Sequence, residues 1–194
     1  MIGRMGSTAQ VSRRSLVCDR PVLSRSLGVS GFVAIALWSC LCMGQEVHAS
    51  QGKNVVVLSV LAQKPYSLMS GEAKTAKLSV ECAQKGKKTV HVLKFSPGES
   101  LVEDNPEKGA PLTFNITIGG IKQTTSWANF GDTVTFTYVG KDDADRLKFI
   151  QSLLSSGSVS IEFIPFLTGV PATSVFDLSK LRNEMNRYPE CATQ

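Results

Sequence analysis

Thr75-Ala76-Lys77-Leu78-Ser79-Val80-Glu81-Cys82 alternates polar and apolar side chains at every step. Successive side chains of a strand point to opposite faces, so a period of two buries one face and leaves the other in water. Ala76, Leu78, Val80 and Cys82 are therefore expected to face a core. Lys85-Gly86-Lys87 makes a turn, and Thr89 to Phe95 continues as the second arm of a hairpin with Cys82 at its turn end. The basic cluster Lys85, Lys87 and Lys88 is read as a solvated turn.

Further strand signals lie on both sides of this hairpin. Val55 to Leu61 is an apolar, valine-rich run that suits a first strand. Leu112, Phe114, Ile116 and Ile118 share one face, and Gly119-Gly120 then allows a sharp bend. Thr133 to Val139, with Val134, Phe136 and Tyr138 on one face, predicts another strand. Ser158 to Ile164 and the short Thr173 to Phe176 complete the set. Between them, Ser96 to Pro111 is broken by three prolines and two glycines and reads as a solvated acidic loop, since its carboxylates match no calcium-loop spacing.

Two helices interrupt the strands. Lys141-Asp142-Asp143-Ala144-Asp145 places acids where a helix start has unpaired N–H groups, and Leu147, Ile150, Leu153 and Leu154 follow at helical spacing until Ser155-Ser156-Gly157. Leu178, Leu181 and Met185 space out a final helix that must end before Pro189. The reading is mainly β with two short helices, α+β and β-sandwich-like, in a single domain.

Residues 1 to 26 carry five arginines against Asp19, and the apolar run Leu27 to Gly44 leads to Val47-His48-Ala49. A basic start, an apolar middle and a small-residue exit make a secretory signal peptide. The boundaries predicted are a signal peptide over 1–49 and an exported domain over 50–194. Two alternatives are a lipid anchor through Cys40, within Leu37-Trp38-Ser39-Cys40, and an uncleaved N-terminal anchor. Without the leader's five arginines, Asp19 and Glu46, 16 basic and 14 acidic side chains remain, a net charge of +2. The basic balance of the whole chain is thus mostly leader. No nucleic-acid partner and no stable membrane insertion after cleavage are expected.

Beyond the leader only Cys82 and Cys191 remain of the five cysteines. Two thiols allow one intramolecular bridge, which an oxidising compartment would preserve. A reactive or intermolecular pair is the alternative. The bridge would fasten the C-terminal helix to the first hairpin.

The inventory of reactive groups is short. His91 is the one histidine past the leader, too few for the common zinc sets, and no nucleophile elbow, phosphate-cradling loop or paired-cysteine redox motif accompanies it. No catalytic, cofactor-binding or metal-binding residues are assigned. His91 reads as a partly buried strand residue. Trp127 and Phe130 flank a loop, where they either close the core or form a partner-binding patch.

Phe149-Ile150-Gln151-Ser152-Leu153-Leu154, Ser160-Ile161-Glu162-Phe163-Ile164-Pro165-Phe166, Ala172 to Leu181 and the final Cys191 together resemble a group of small exported bacterial proteins. These are the VasI-type proteins associated with type VI secretion and, more distantly, the invasion-associated locus B family. Lys180 stands where that pattern has Gly, and its Trp after the last cysteine is missing. The resemblance implies an exported β-sandwich closed by an early strand cysteine and a terminal one, matching Cys82 and Cys191, without catalytic residues. The function expected is that of a non-enzymatic periplasmic or secreted module that binds another envelope or secreted protein. The alternative is a small hydrolase or ligand-binding protein using His91 with a nearby Ser or Thr.

Overall fold

The computed structural model describes residues 46–52, 54–86, 88–101, 111–129, 134–166 and 168–191. Eleven strands and two helices lie among them: β1 Val47–Gln51, β2 Val55–Leu61, β3 Tyr66–Ser67, β4 Ala73–Lys74, β5 Lys77–Lys85, β6 Lys88–Ser96, β7 Pro111–Ile118, β8 Ile121–Asn129, β9 Phe136–Tyr138, α1 Asp143–Ser156, β10 Ser158–Phe163, β11 Ala172–Asp177 and α2 Ser179–Met185. A single 3-10 turn, Pro189–Cys191, follows α2.

Nine strands form one antiparallel sheet in the order β1-β2-β5-β6-β9-β8-β7-β10-β11, while β3 and β4 pair as a separate small hairpin. The β5–β6 hairpin is the one its alternation predicts. Its last register pair is Lys85 with Lys88, and Gly86 takes a φ of 65°, a left-handed conformation that a side chain would disfavour. Leu78, Val80 and Cys82 of β5 are buried, as are Leu93 and Phe95 of β6.

The expected architecture, mainly β with two helices and closed by one disulfide, is the one found. Its two facing layers belong to a single sheet that rolls over itself. Phe95 on β6 meets Phe163 of β10 at 5.3 Å and Phe176 of β11 at 6.3 Å between ring centroids, although those strands lie four and five places away in the sheet order. At the far edge, the Gln63 N–H donates to the Val175 carbonyl (2.8 Å), so β11 returns to the chain leaving β2. One core results, because every inward face points into the same enclosed space.

α1 starts where its acids predict. Asp142 accepts a hydrogen bond from the Asp145 N–H (2.8 Å) and caps the helix, and Gly157 ends it at φ 73°. Ile150, Leu153 and Leu154 are its buried side chains. Leu178, Leu181 and Met185 bury the C-terminal helix in the same core. Among the described residues, no helix is long and apolar enough to cross a membrane.

Five elements depart from expectation, and two of them, β3 and β4, form a small hairpin in a stretch where no strand is expected. β9 spans only Phe136–Tyr138, shorter than the predicted Thr133–Val139, with Val134 in a turn and 37% exposed. β8 occupies residues that were given no strand; Ile121 to Thr124 are exposed throughout, so they show no buried face from which a period can be read. β1 contains the junction expected between leader and domain, since Ala49 and Ser50 both lie within it. The rest of the predicted leader, with Cys40, lies outside the described residues.

Candidate functional site

Three places were candidates for chemistry or binding: the cysteines with His91, the Trp127 region, and any apolar surface. Cys82 is the last inward position of β5 before its turn, and Cys191 sits in the terminal 3-10 turn. Both are fully buried and form a disulfide across 5.3 Å between Cα atoms and 109 residues of sequence. The bridge ties the chain's tail to the central hairpin.

His91 is the direct register partner of Cys82 across β5 and β6 and is 7% exposed. Its Nε2 is buried and has no hydrogen-bond partner among the described residues. Burial lowers its pKa below the ordinary histidine value; a hydrogen bond to the Cys191 backbone and the Asp143 carboxylate pull the other way and do not prevail. The ring is thus held neutral against the disulfide. A histidine acting as a general base needs a hydroxyl within hydrogen-bond reach and an opening to substrate. Among the described residues, no hydroxyl stands within hydrogen-bond reach of Nε2.

A neutral buried histidine makes stability depend on pH. The unfolded chain takes up a proton near the ordinary value of about 6.5, while the folded chain resists until lower pH, so acid favours unfolding. Stability is expected to fall as pH is lowered through that window. Replacing His91 by Phe should flatten the decline between about pH 7 and 5 in denaturant titrations. Equal pH slopes for the two proteins would show that His91 is not the group responsible.

Trp127 is wholly buried, so of its two expected roles it closes the core and is not part of an exposed partner-binding patch. Its Nε1–H donates to Thr125 Oγ1 (2.8 Å), and its ring lies edge-on to Phe95, Phe114 and Tyr138. The alternation of β8 becomes inward only at its end, which turns this indole into the core. Phe130 lies outside the described residues.

The apolar surface lies elsewhere. The β3–β4 hairpin on one side and Pro165, Thr168, Val170, Pro171 and Ala172 on the other line a groove of about 380 Å³, with Tyr66, Leu68 and Met69 on the hairpin wall. Met69 is 80% exposed and Val170 57%, with Ile164 and Phe166 also exposed close by in sequence. Local hydrogen bonds shape both walls. Leu68 N–H donates to Glu72 C=O, and Gly71, at φ 83°, closes the hairpin tip. On the other side Gly169 N–H donates to Pro165 C=O, and Phe166 N–H to Ser100 C=O. Tyr66 anchors the floor, its OH donating to Pro97 C=O (3.0 Å) and its ring packed edge-on against Phe163. Burial first and the Glu99 carboxylate second push its pKa up to about 12, so the phenol stays protonated and keeps donating.

Sequence reasoning missed this groove. Its apolar residues fall in Pro- and Gly-broken segments that read as plain loops, and only folding brings residues 66–69 next to 165–172. The available signal was composition: Met69, Phe166 and Val170 are apolar side chains in stretches with no buried period.

The fold and its surfaces define a β-rich domain, closed by a disulfide, with one rolled sheet and two helices. No protein-family model, curated protein or solved structure matches this chain.

Proposed function

We propose that this chain is a non-enzymatic bacterial module, exported to the periplasm or beyond, that acts by binding another envelope or secreted protein through the groove between the β3–β4 hairpin and residues 165–172. The observation that carries this reading is the exposure of Met69 and Val170 on the walls of one groove, whose lining mixes apolar side chains with Ser67 and Thr168. Contiguous apolar patches on a small domain are costly to leave in water and mark contact sites. The Cys82–Cys191 bridge supports an oxidising compartment, where such bonds persist. The resemblance of the C-terminal half to VasI-type and invasion-associated locus B proteins supports a role in a secretion or invasion pathway.

The test is recovery of a specific protein on the purified chain from envelope extract, followed by titration of that protein in purified form. Met69→Asp and Val170→Asp are each expected to weaken binding at least about tenfold, equivalent to about 1.4 kcal/mol. Both sites are exposed, so the unfolding midpoint should stay within about 0.5 kcal/mol of the parent. Undiminished binding by both variants, or specific retention of a small molecule and no protein, would overturn the reading.

A further inference from the structure

We infer that β1 is part of the working protein and that any export cut falls upstream of Val47 rather than between Ala49 and Ser50; this rests on the export reading proposed above. The junction Val47-His48-Ala49 has the small residues that suit a signal peptidase. The structure gives those same residues a place in the sheet. Val47 pairs with Val60, His48 with Ser59 and Ala49 with Leu58, in an antiparallel hairpin that Gly52 N–H closes onto Val55 C=O (2.7 Å). Because Val55 turns its carbonyl toward β1, the two-residue period of a strand turns the backbone of Val57 and Ser59 the same way.

β1 covers the core as well as the edge. Val60 and Leu58 point inward and are fully buried, and their register partners Val47 and Ala49 are partly buried against the same cluster. α2 packs against both β1 and β2, so the strand is held from a second side. Its other side chains, His48, Ser50 and Gln51, are exposed. A short strand with a polar outer face is how a sheet edge is blunted against pairing with other chains.

A cut between Ala49 and Ser50 would remove three of the five residues of β1. The Ser59 backbone would lose its partner, and Leu58 and Val60 would lose the side chains beside them. The edge then presented would be Val55-Val56-Val57-Leu58-Ser59-Val60-Leu61, an uncharged, β-branched run of the kind that pairs with other chains and aggregates.

The experiment is to express the full chain with its own leader in a bacterium, fractionate the cells, and determine the N-terminus of the exported protein by intact mass and N-terminal sequencing. An N-terminus at or before Val47, or an uncleaved leader on translocated protein, supports the inference. Ala49→Gln, which puts a bulky side chain at the last position of the small-residue exit, should then leave the N-terminus and the yield unchanged. On the same exported protein, the Val57 and Ser59 amides should exchange hydrogen at least about a hundredfold more slowly than exposed amides. Exported protein beginning at Ser50, precursor accumulating in Ala49→Gln, or unprotected Ser59 would overturn the inference while leaving export standing. Protein found only in the cytosol with its leader intact would overturn both.

Discussion

Replacing Cys82 and Cys191 together by alanine is expected to lower the unfolding free energy by about 3 to 5 kcal/mol, most of what a small domain has. The bridge closes 109 residues of sequence, so the oxidised unfolded chain has far fewer conformations than the open one, and folding is correspondingly less opposed. In the folded state the same bond holds a tail whose other anchors are Leu178, Leu181 and Met185. Alanine avoids placing two buried hydroxyls without partners in the core. For a domain of this size the thermal midpoint should fall by about 10 °C. Denaturant titration of the double variant, and of the parent held in reductant, should give matching losses. A change below about 1 kcal/mol would mean that the α2 contacts suffice and the bridge is incidental.

Phe95→Ala should be nearly as damaging, with an expected loss of about 3 to 5 kcal/mol. Phe95 is fully buried on β6 and its ring meets Phe114, Trp127, Phe163 and Phe176, which come from four other strands. It stands at the point where the rolled sheet faces itself. Truncation removes the transfer free energy of the ring and leaves a cavity that surrounding aromatics, fixed by their own strands, cannot fill. Phe166→Ala is the matched control, because that ring is 48% exposed and lies outside the core. If both variants lost the same stability in denaturant, the aromatic cluster would not be the organising contact between the layers.

How much of this molecule was legible in advance depended on burial of a single face. β2, β5, β6, β7, β10 and β11 each have a face against the core; β5, β7 and β10 carry the period of two, while β2 shows as a valine-rich run of strand length. The two helices were readable for a related reason. Acids at one start, Gly157 at one end, Pro189 beyond the other, and apolar side chains at helical spacing all agree. β8 gave no such signal, since Ile121 to Thr124 stand in water on both faces and only its last three residues are buried. β1 was hidden because small residues before a polar stretch suit a cleavage site and an edge strand equally well.

The candidate sites divide in the same manner. The pairing of Cys82 with Cys191 followed from a count of thiols beyond the predicted leader and an inward-facing position for the first of them, and the structure decided it against a reactive or intermolecular pair. Trp127 needed the register of β8, which decides whether an indole at the end of a polar strand points in or out. The groove beside Met69 and Val170 needed the whole fold, since its two walls lie about a hundred residues apart in the chain.

Local alternation, capping residues and the cysteine count were enough to determine a mainly β, disulfide-closed domain with two helices, because each of those signals acts between near neighbours or has a single solution. Tertiary structure alone decided that the strands form one rolled sheet, that Trp127 belongs to the core, that His91 is sealed beside the disulfide, and that residues 47–49 cover the edge of β2. The physical reason is common to all four. Which face of a strand is buried follows from what stands opposite it, and that partner comes from elsewhere in the chain.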